Sequence, residues 1–470
     1  MFPYLRGLTS MRVLSRDKRT AVDTILSRIE SPWARFLGRA VVPLAFAFLA
    51  VLRLYDFTGG FQYCDASLYN YWAAGNNLTI ANDSIPWLQI YVTRGFFTLL
   101  GTNEFSSRLY AAICGLLLLV GVYFLGRRLS GEYGGLLSML VVGLSPLVIE
   151  FSRINALDVP LALWLTLATY YSLNAAKSVR STALCGVFCG LAFFTKYTGL
   201  VGVALLGYIV LTARRRSASI GFLTFGLVTA PLWYQLAVLN WHPFVFHASL
   251  SELVPPWSVA GDALSDLLQD IGPILPAGIV AFTVAALAHR LDRRVLAPAL
   301  LLVSIFASFL IIRRWNSWYV IDFLPFLAVV AAYSLTKIYG LSHKKILRLC
   351  IIGGVILILV INGLAATSFV ATFTGNNSWK VVGGVAQGYA ELYNCSIVSR
   401  DWEALWYFRN MQWQPLDWVR RAHPERFIVV SYDFYLSRIE EYLGRSGMTF
   451  HETIIWRSPT DDVTMWLFTT

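Results

Sequence analysis

Asp65 lies in Gln62-Tyr63-Cys64-Asp65-Ala66-Ser67-Leu68-Tyr69, a short polar stretch among aromatic residues. A carboxylate partly desolvated by aromatics can accept the proton of a hydroxyl, or hold that hydroxyl for attack. The same residue would equally cap a helix starting at Ser67. Arg153 and Asp158 follow in Glu150-Phe-Ser-Arg153-Ile-Asn-Ala-Leu-Asp158-Val-Pro160. Pro160 suits the first turn of a helix and Asp158 its cap, whereas Arg153 has no such routine duty. A guanidinium at a membrane surface can grip a phosphate through paired donors. Lys196 stands at the tip of Phe193-Phe194-Thr195-Lys196-Tyr197-Thr198. It either snorkels to the headgroups or pairs with a phosphate, which would offset the cost of an ammonium held below the surface. Arg313 and Arg314 precede Trp315-Asn316-Ser317-Trp318-Tyr319, so an aromatic belt with snorkelling arginines and a phosphate clamp are both open. Glu104 and Arg108 have the spacing of an i,i+4 ion pair. His242 and Glu252 are metal-ligand types, but without a spaced third they make a poor zinc site.

Apolar helices must position these groups. The chain has 470 residues, 57% of them hydrophobic and only 14% charged, with a mean hydropathy of +0.58. A soluble fold of this size has no place to hide so much apolar surface, whereas lipid solvates the outward faces of membrane helices. Judged against a need for about 20 apolar residues each, about eleven spans are expected. They fall near 40–55, 107–125, 134–150, 158–175, 181–194, 198–213, 218–237, 271–288, 295–312, 318–336 and 349–371. The fifth and sixth are read as two passes, because fusing them would place Arg214, Arg215 and Arg216 outside.

With that choice the basic residues alternate correctly. Arg127-Arg128, Lys177 with Arg180, the 214–216 triplet, Arg290 with Arg293-Arg294, and Lys337 with Lys344, Lys345 and Arg348 all lie inside. The net charge of +11 therefore reflects membrane orientation and not nucleic-acid binding. Residues 1–39 read as a cytoplasmic basic N-terminal segment lying along anionic lipid. Residues 40–372 form the transmembrane domain, with long external loops at 56–106 and 238–270. Residues 373–470 read as a small extracytoplasmic α/β domain, with strands expected at Ser396–Ser399, Arg426–Tyr432, Thr449–Ile455 and Val463–Phe468. Of the six cysteines, Cys64 and Cys395 face the exterior, where a disulfide between them is conceivable.

Taken together, one external carboxylate and several external cations share a membrane edge. That suits an anionic lipid phosphate as substrate. Transporters more often carry charges at midspan, and these spans are clean at their centres.

At these residues the chain resembles the C-type membrane glycosyltransferases that use polyprenyl-phosphate sugars, of the protein O-mannosyltransferase and lipid A aminoarabinose transferase kind. Asp65-Ala66-Ser67-Leu68-Tyr69 looks like their D-E-x-x-Y motif, with Ala66 in place of the second acid. Further similarity lies in Gly101-Thr-Asn-Glu104-Phe-Ser-Ser-Arg108-Leu109, in Arg153 to Asp158 followed by Pro160, in Gly190-Leu-Ala-Phe-Phe-Thr195-Lys196-Tyr197-Thr198, and in Tyr319-Val-Ile-Asp-Phe-Leu-Pro325. The motifs follow in order over roughly residues 40–340.

The resemblance implies an all-α polytopic membrane domain of C-type glycosyltransferase architecture with a small C-terminal extracytoplasmic α/β domain. It implies transfer of a single sugar from a dolichyl or undecaprenyl phosphate to a protein, lipid or glycan acceptor on the outer face, with inversion. Asp65 would be the base; Arg153, Lys196, Arg313, Arg314 and Tyr319 would hold the donor phosphate; Tyr69, Glu104, Arg108 and Asp158 would support them. No cofactor is required, and a divalent metal is left open. The protein is expected in the plasma membrane of a prokaryote rather than in the endoplasmic reticulum, with its N-terminus in the cytoplasm. The competing readings are an oligosaccharyl transferase or glycan ligase, and a non-enzymatic flippase of lipid-linked sugars.

Overall fold

The computed structural model describes residues 32–60, 65–75, 87–213, 215–234, 255–272, 292–312, 315–341, 345–375, 378–399, 401, 407–408, 413–415, 417–432, 439–441, 443, 451–457 and 463–469. The chain divides into two compact units, residues 1–49 and 50–470. The expected span at 271–288 lies almost wholly outside the described residues.

Helix α1 (Pro32–Leu54) is followed by two shorter helices, α2 (Asp65–Ala74) and α3 (Leu88–Leu100). Helix α4 (Glu104–Gly143) covers two expected spans and is interrupted at Gly131 (φ 79°, ψ −173°). The chain reverses there. A Cβ on Gly135 would lie 2.7 Å from the Tyr123 carbonyl oxygen, and one on Gly126 would lie 2.6 Å from Ser138 Oγ. In a straight helix residues so separated would be about 18 Å apart at 1.5 Å per residue. Gly131 can turn the chain because it lacks the Cβ that disfavours positive φ, and Arg127 closes the turn on Glu132 at 2.7 Å.

The short α5 (Pro146–Phe151) leads to α6 (Asp158–Ser172). Its residues Val159, Leu161, Ala162, Leu163, Leu165 and Ala168 are all buried. A helix apolar all round belongs at the centre of a bundle, and α6 packs on α4, on α7 (Val179–Thr195) and on α12 (Val320–Leu341). After α7 a 3-10 turn (Tyr197–Gly202) enters α8 (Val203–Thr212). Cys189 Sγ meets Gly202 O at 3.2 Å, so the chain folds back on α7 as it enters α8. Helix α9 (Arg215–Tyr234) lies against α7, where Gly190 has no room for a Cβ beside Val228 (2.7 Å).

Part of the second expected loop is helical: α10 (Pro256–Ile271) starts on a proline and buries Val259, Ala263 and Leu267 along one face. Helices α11 (Leu296–Ile312), α12 and α13 (Lys345–Gly375) complete the bundle. Four described segments are long and apolar enough to cross a membrane: Glu104–Gly143, Arg293–Ile312, Ser317–Gly340 and Arg348–Phe373. Shorter apolar helices lie at Ala40–Leu54, Val179–Thr195, Tyr197–Thr212 and Ala218–Tyr234. An apolar cavity of about 200 Å³ lies between α4, α12 and α13, lined by residues such as Val141, Ala331, Ile351 and Ile358.

Beyond α14 (Ser378–Tyr393) a five-stranded sheet runs β2-β1-β3-β5-β4. Its strands are β1 (Ser396–Ser399), β2 (Trp413–Pro415), β3 (Arg426–Tyr432), β4 (His451–Arg457) and β5 (Val463–Thr469), with the short helix α15 (Asp417–Ala422) before β3. Strand β1 is parallel to β2 and β3, while β5 is antiparallel to β3 and β4. Trp379 of α14 packs with Ile428, Val430, Val463 and Met465 on one side of the sheet. Cys395 is a free thiol, and Cys64, its conceivable partner, lies outside the described residues.

The hairpin at Gly131 makes a direct prediction. Gly135→Ala should cost roughly 1–3 kcal/mol, because its methyl meets backbone that cannot step aside. Gly207→Ala, with nothing within 4 Å, should leave thermal unfolding in detergent unchanged or slightly raised. Equal unfolding midpoints for the two variants would rule out the reversal.

Candidate functional site

The polar residues gather on Ser152–Asp158, the turn between α5 and α6. This segment carries four buried polar side chains, Ser152, Arg153, Asn155 and Asp158; Ser152 donates back to the Val148 carbonyl, and the other three each reach a different element.

Arg153 reaches the end of α1. Its Nη1 donates to the carbonyls of Leu52 (3.2 Å), Arg53 (3.3 Å) and Tyr55 (2.8 Å), and its Nη2 to that of Asp56 (2.6 Å). These are the carbonyls a helix end leaves without partners, and a cation there also complements the helix dipole. Burial pushes the guanidinium down to about 10, the neighbouring Arg108 acts the same way, and Asp56 opposes both. Arg108 continues the clamp. It forms the expected pair with Glu104 (2.9 Å) and donates to Phe57 O (3.1 Å), Gly59 O (2.7 Å) and Gly60 O (3.0 Å). Gly60 (φ +70°) is held against the Phe373 carbonyl, 2.7 Å from where a Cβ would stand. The two arginines thus fix residues 52–60, the stretch leading toward Asp65.

Asn155 reaches α2 and α3. Its Oδ1 accepts from Thr93 Oγ1 (3.1 Å) and Gln89 Nε2 of α3, and its Nδ2 donates to Asn70 Oδ1 of α2 (2.7 Å). Around these amides pack Leu68, Tyr69, Trp72, Ala73, Ile90, Phe97 and Leu157. Tyr69 is therefore a packing residue here, buried against Trp72. Asp65 is the first residue of α2.

Asp158 reaches Lys196, and Lys196 also meets Asp322 Oδ2 of α12 at 3.3 Å. The ammonium stands 4.5 Å from the centre of the Tyr319 ring, which stacks on Phe309 at 4.6 Å. Burial alone would lower the Lys196 ammonium, but the carboxylates of Asp158 and Asp322 and the Tyr319 hydroxyl together push it up. Asp158 is not the helix cap expected of it: Leu157 holds the cap position without a side-chain bond, and the carboxylate turns to Lys196.

Helix α10 closes the same side. Trp315 Nε1 donates to Asp266 Oδ2 (2.6 Å). Ser145 Oγ (2.7 Å) and Leu147 N (3.3 Å) donate to Asp270. Burial pushes the Asp270 carboxyl up to about 6 against these two bonds.

The structure thus brings together Arg153, Asp158, Lys196, Tyr319, Glu104, Arg108 and Tyr69, but with protein partners in place of a phosphate. Arg153 in particular has a helix end as its task, for which a guanidinium fork is well suited. Arg313, Arg314, His242 and Glu252 lie outside the described residues. Among the described residues, no group of three His, Cys, Asp or Glu side chains is placed to hold a metal ion. Sequence reasoning passed over Asp322, although an acid inside an apolar run is itself a functional signal, and Asn70, Gln89 and Asn155, neutral amides that carry none.

The family model described as dolichyl-phosphate-mannose-protein mannosyltransferase matches residues 84–241. No curated protein matches the chain in sequence. ArnT from Cupriavidus metallidurans, solved in the apo state, is similar at a TM-score of 0.63 and 16% identity, over 91% of this chain and 98% of that one. The same protein bound to undecaprenyl phosphate gives 0.63 and 15%, over 93% and 98%. The archaeal oligosaccharyltransferase AglB from Archaeoglobus fulgidus, in complex with an inhibitory peptide and a dolichol-phosphate, gives 0.59 and 13%, over 93% and 74%. The resemblance drawn from the motifs is borne out by the family match and by this shared fold.

Lys196 carries the prediction of this site. With 16% of its side chain exposed and Asp322 at 1%, Lys196→Met would strand two buried carboxylates and should destabilise the protein by about 3–5 kcal/mol. Adding Asp322→Asn should recover part of the loss in denaturant unfolding. A Lys196→Met variant as stable as wild type would show that the cluster contributes nothing to the fold.

Proposed function

We propose that the chain is an integral membrane glycosyltransferase that moves one sugar from a polyprenyl phosphate to a hydroxyl of a protein, lipid or glycan acceptor. The observation that carries this reading is the placement of the polar groups. Asp65, the Ser152–Asp158 turn, Lys196 and Asp322 occupy helix ends and the turns between helices, while α6 is apolar along its length and α4, α11, α12 and α13 are apolar enough to span a bilayer. The family match over residues 84–241 and the fold shared with proteins solved with undecaprenyl phosphate and dolichol-phosphate support it.

The reading places about eleven spans in the plasma membrane of a prokaryote, with the N-terminus in the cytoplasm and the sheet domain outside. The donor lies with its phosphate at the outer edge. Asp65 takes the proton of the acceptor hydroxyl, whose oxygen attacks the anomeric carbon from the face opposite the phosphate. The carbon–oxygen bond to phosphate breaks, and polyprenyl phosphate leaves with the electron pair. One displacement inverts the anomeric centre. Arg313 and Arg314 are assigned the leaving phosphate. Lys196 and Tyr319 line the same edge, but a phosphate would have to share the ammonium with Asp158 and Asp322.

Purified protein given polyprenyl-phosphate hexose or pentose and a panel of acceptors should transfer single sugars. Asp65→Asn should lower kcat by about 10²–10⁴-fold with donor KM nearly unchanged. Undiminished transfer by that variant would remove the base, and lipid translocation in sealed vesicles without any transfer would favour a flippase.

A further inference from the structure

We infer that Asn155 is a positioning residue, which fixes the helix bearing Asp65 relative to the Lys196 turn. The inference rests on the proposed transfer reaction only for its kinetic consequences. Helix α2 is ten residues long, too short to hold its place by its own hydrogen bonds. Its position must come from contacts, and Asn155 supplies a buried polar one that joins both helices to the turn, at once donor to Asn70 of α2 and acceptor from Gln89 and Thr93 of α3. Three residues later in the same turn, Asp158 holds Lys196. Asn155 and Asp158 therefore sit on one short piece of backbone, closed at its other end by Arg153 on α1. The distance from Asp65 to the phosphate edge is set through that piece.

Asn70 Nδ2 and Gln89 Oε1 are buried without partners, so loss of Asn155 would add to a set of buried amide groups that already lacks bonds. Leaving further buried amide groups unpaired costs more than the mean value of a hydrogen bond. An apolar residue at 155 would leave α2 and α3 held to the turn by their packing on Leu157 alone, a non-directional contact that keeps the helices folded without fixing their register. Aspartate at 155 would retain both acceptor contacts. The Asn70 amide, turned end for end, would then offer the introduced carboxylate its idle Nδ2.

The test reads position and chemistry separately on the full-length protein. Spin labels at Tyr71→Cys on α2 and Leu200→Cys on the 3-10 turn, both exposed, report the separation by pulsed electron resonance, with Cys64, Cys350 and Cys395 replaced by Ser. Asn155→Leu should broaden that distance distribution about twofold, and Asn155→Asp should restore it. In transfer assays Asn155→Leu should lower kcat about 10²-fold with donor KM within about threefold, the loss expected of a misplacement near 1 Å. Asn155→Asp should recover most of the rate. Combined with Asp65→Asn, Asn155→Leu should add no further loss, because a misplaced base that is already disabled costs nothing more. An unbroadened distribution, a changed KM with unchanged kcat, or additive losses would each overturn the inference. If wild type transfers no sugar from any donor, the functional reading fails, and the label distances still decide whether Asn155 holds α2.

Discussion

A charge or amide taken out of water must find a partner, and one short turn meets that requirement for several helices at once. Ser152–Asp158 sends a guanidinium to α1, an amide to α2 and α3, and a carboxylate to Lys196 at the end of α7, which passes the link on to Asp322 of α12. Each of these links is long in sequence, so none forms until the helices have already come together. The apolar packing of α6 brings them close, and the polar links then choose one arrangement out of the several that apolar helices alone would tolerate.

The same requirement explains why the cations look occupied. Arg153 and Lys196 are the residue types that grip phosphates, yet one holds carbonyls and the other two carboxylates. Groups already bonded to protein are held in place, so this edge needs no rearrangement to keep its shape. An anion brought to it would have to compete with Asp158 and Asp322 for Lys196.

How much of this could be read in the sequence depended on whether the signal was local. The helical hairpin between residues 104 and 143, the two passes around Lys196 and the strands β1, β3 and β5 follow from apolar runs and charge alternation. Strand β2, three residues long, is too short to show a period, and α10 replaces part of the expected loop, its Pro256 start and Val259, Ala263, Leu267 spacing being those of a helix. Arg153 and Lys196 were legible as important residues but not as to their partners, which lie about a hundred residues away or more in Leu52, Arg53 and Asp322. Asn155 is illegible for a different reason: a neutral amide has neither hydropathy nor charge pattern, and only the two helices it joins reveal its use.

Helix α13 runs apolar from Arg348 to Phe373, and its side chains Leu349, Ile356, Leu357, Val360 and Leu364 face outward. Its far end is seated where Phe373 meets Arg153 (5.6 Å) and Gly60. A helix of that length is about 39 Å long, against a hydrocarbon core of about 30 Å, so it must lean to keep its side chains in lipid. Leaning about a seated end, it behaves as a lever whose pitch follows bilayer thickness, and the sheet domain that begins a few residues beyond it would ride on the short arm. Tilt measured by oriented-sample spectroscopy in thin and thick bilayers would show the coupling as a change in angle, and a constant angle would show a rigid post.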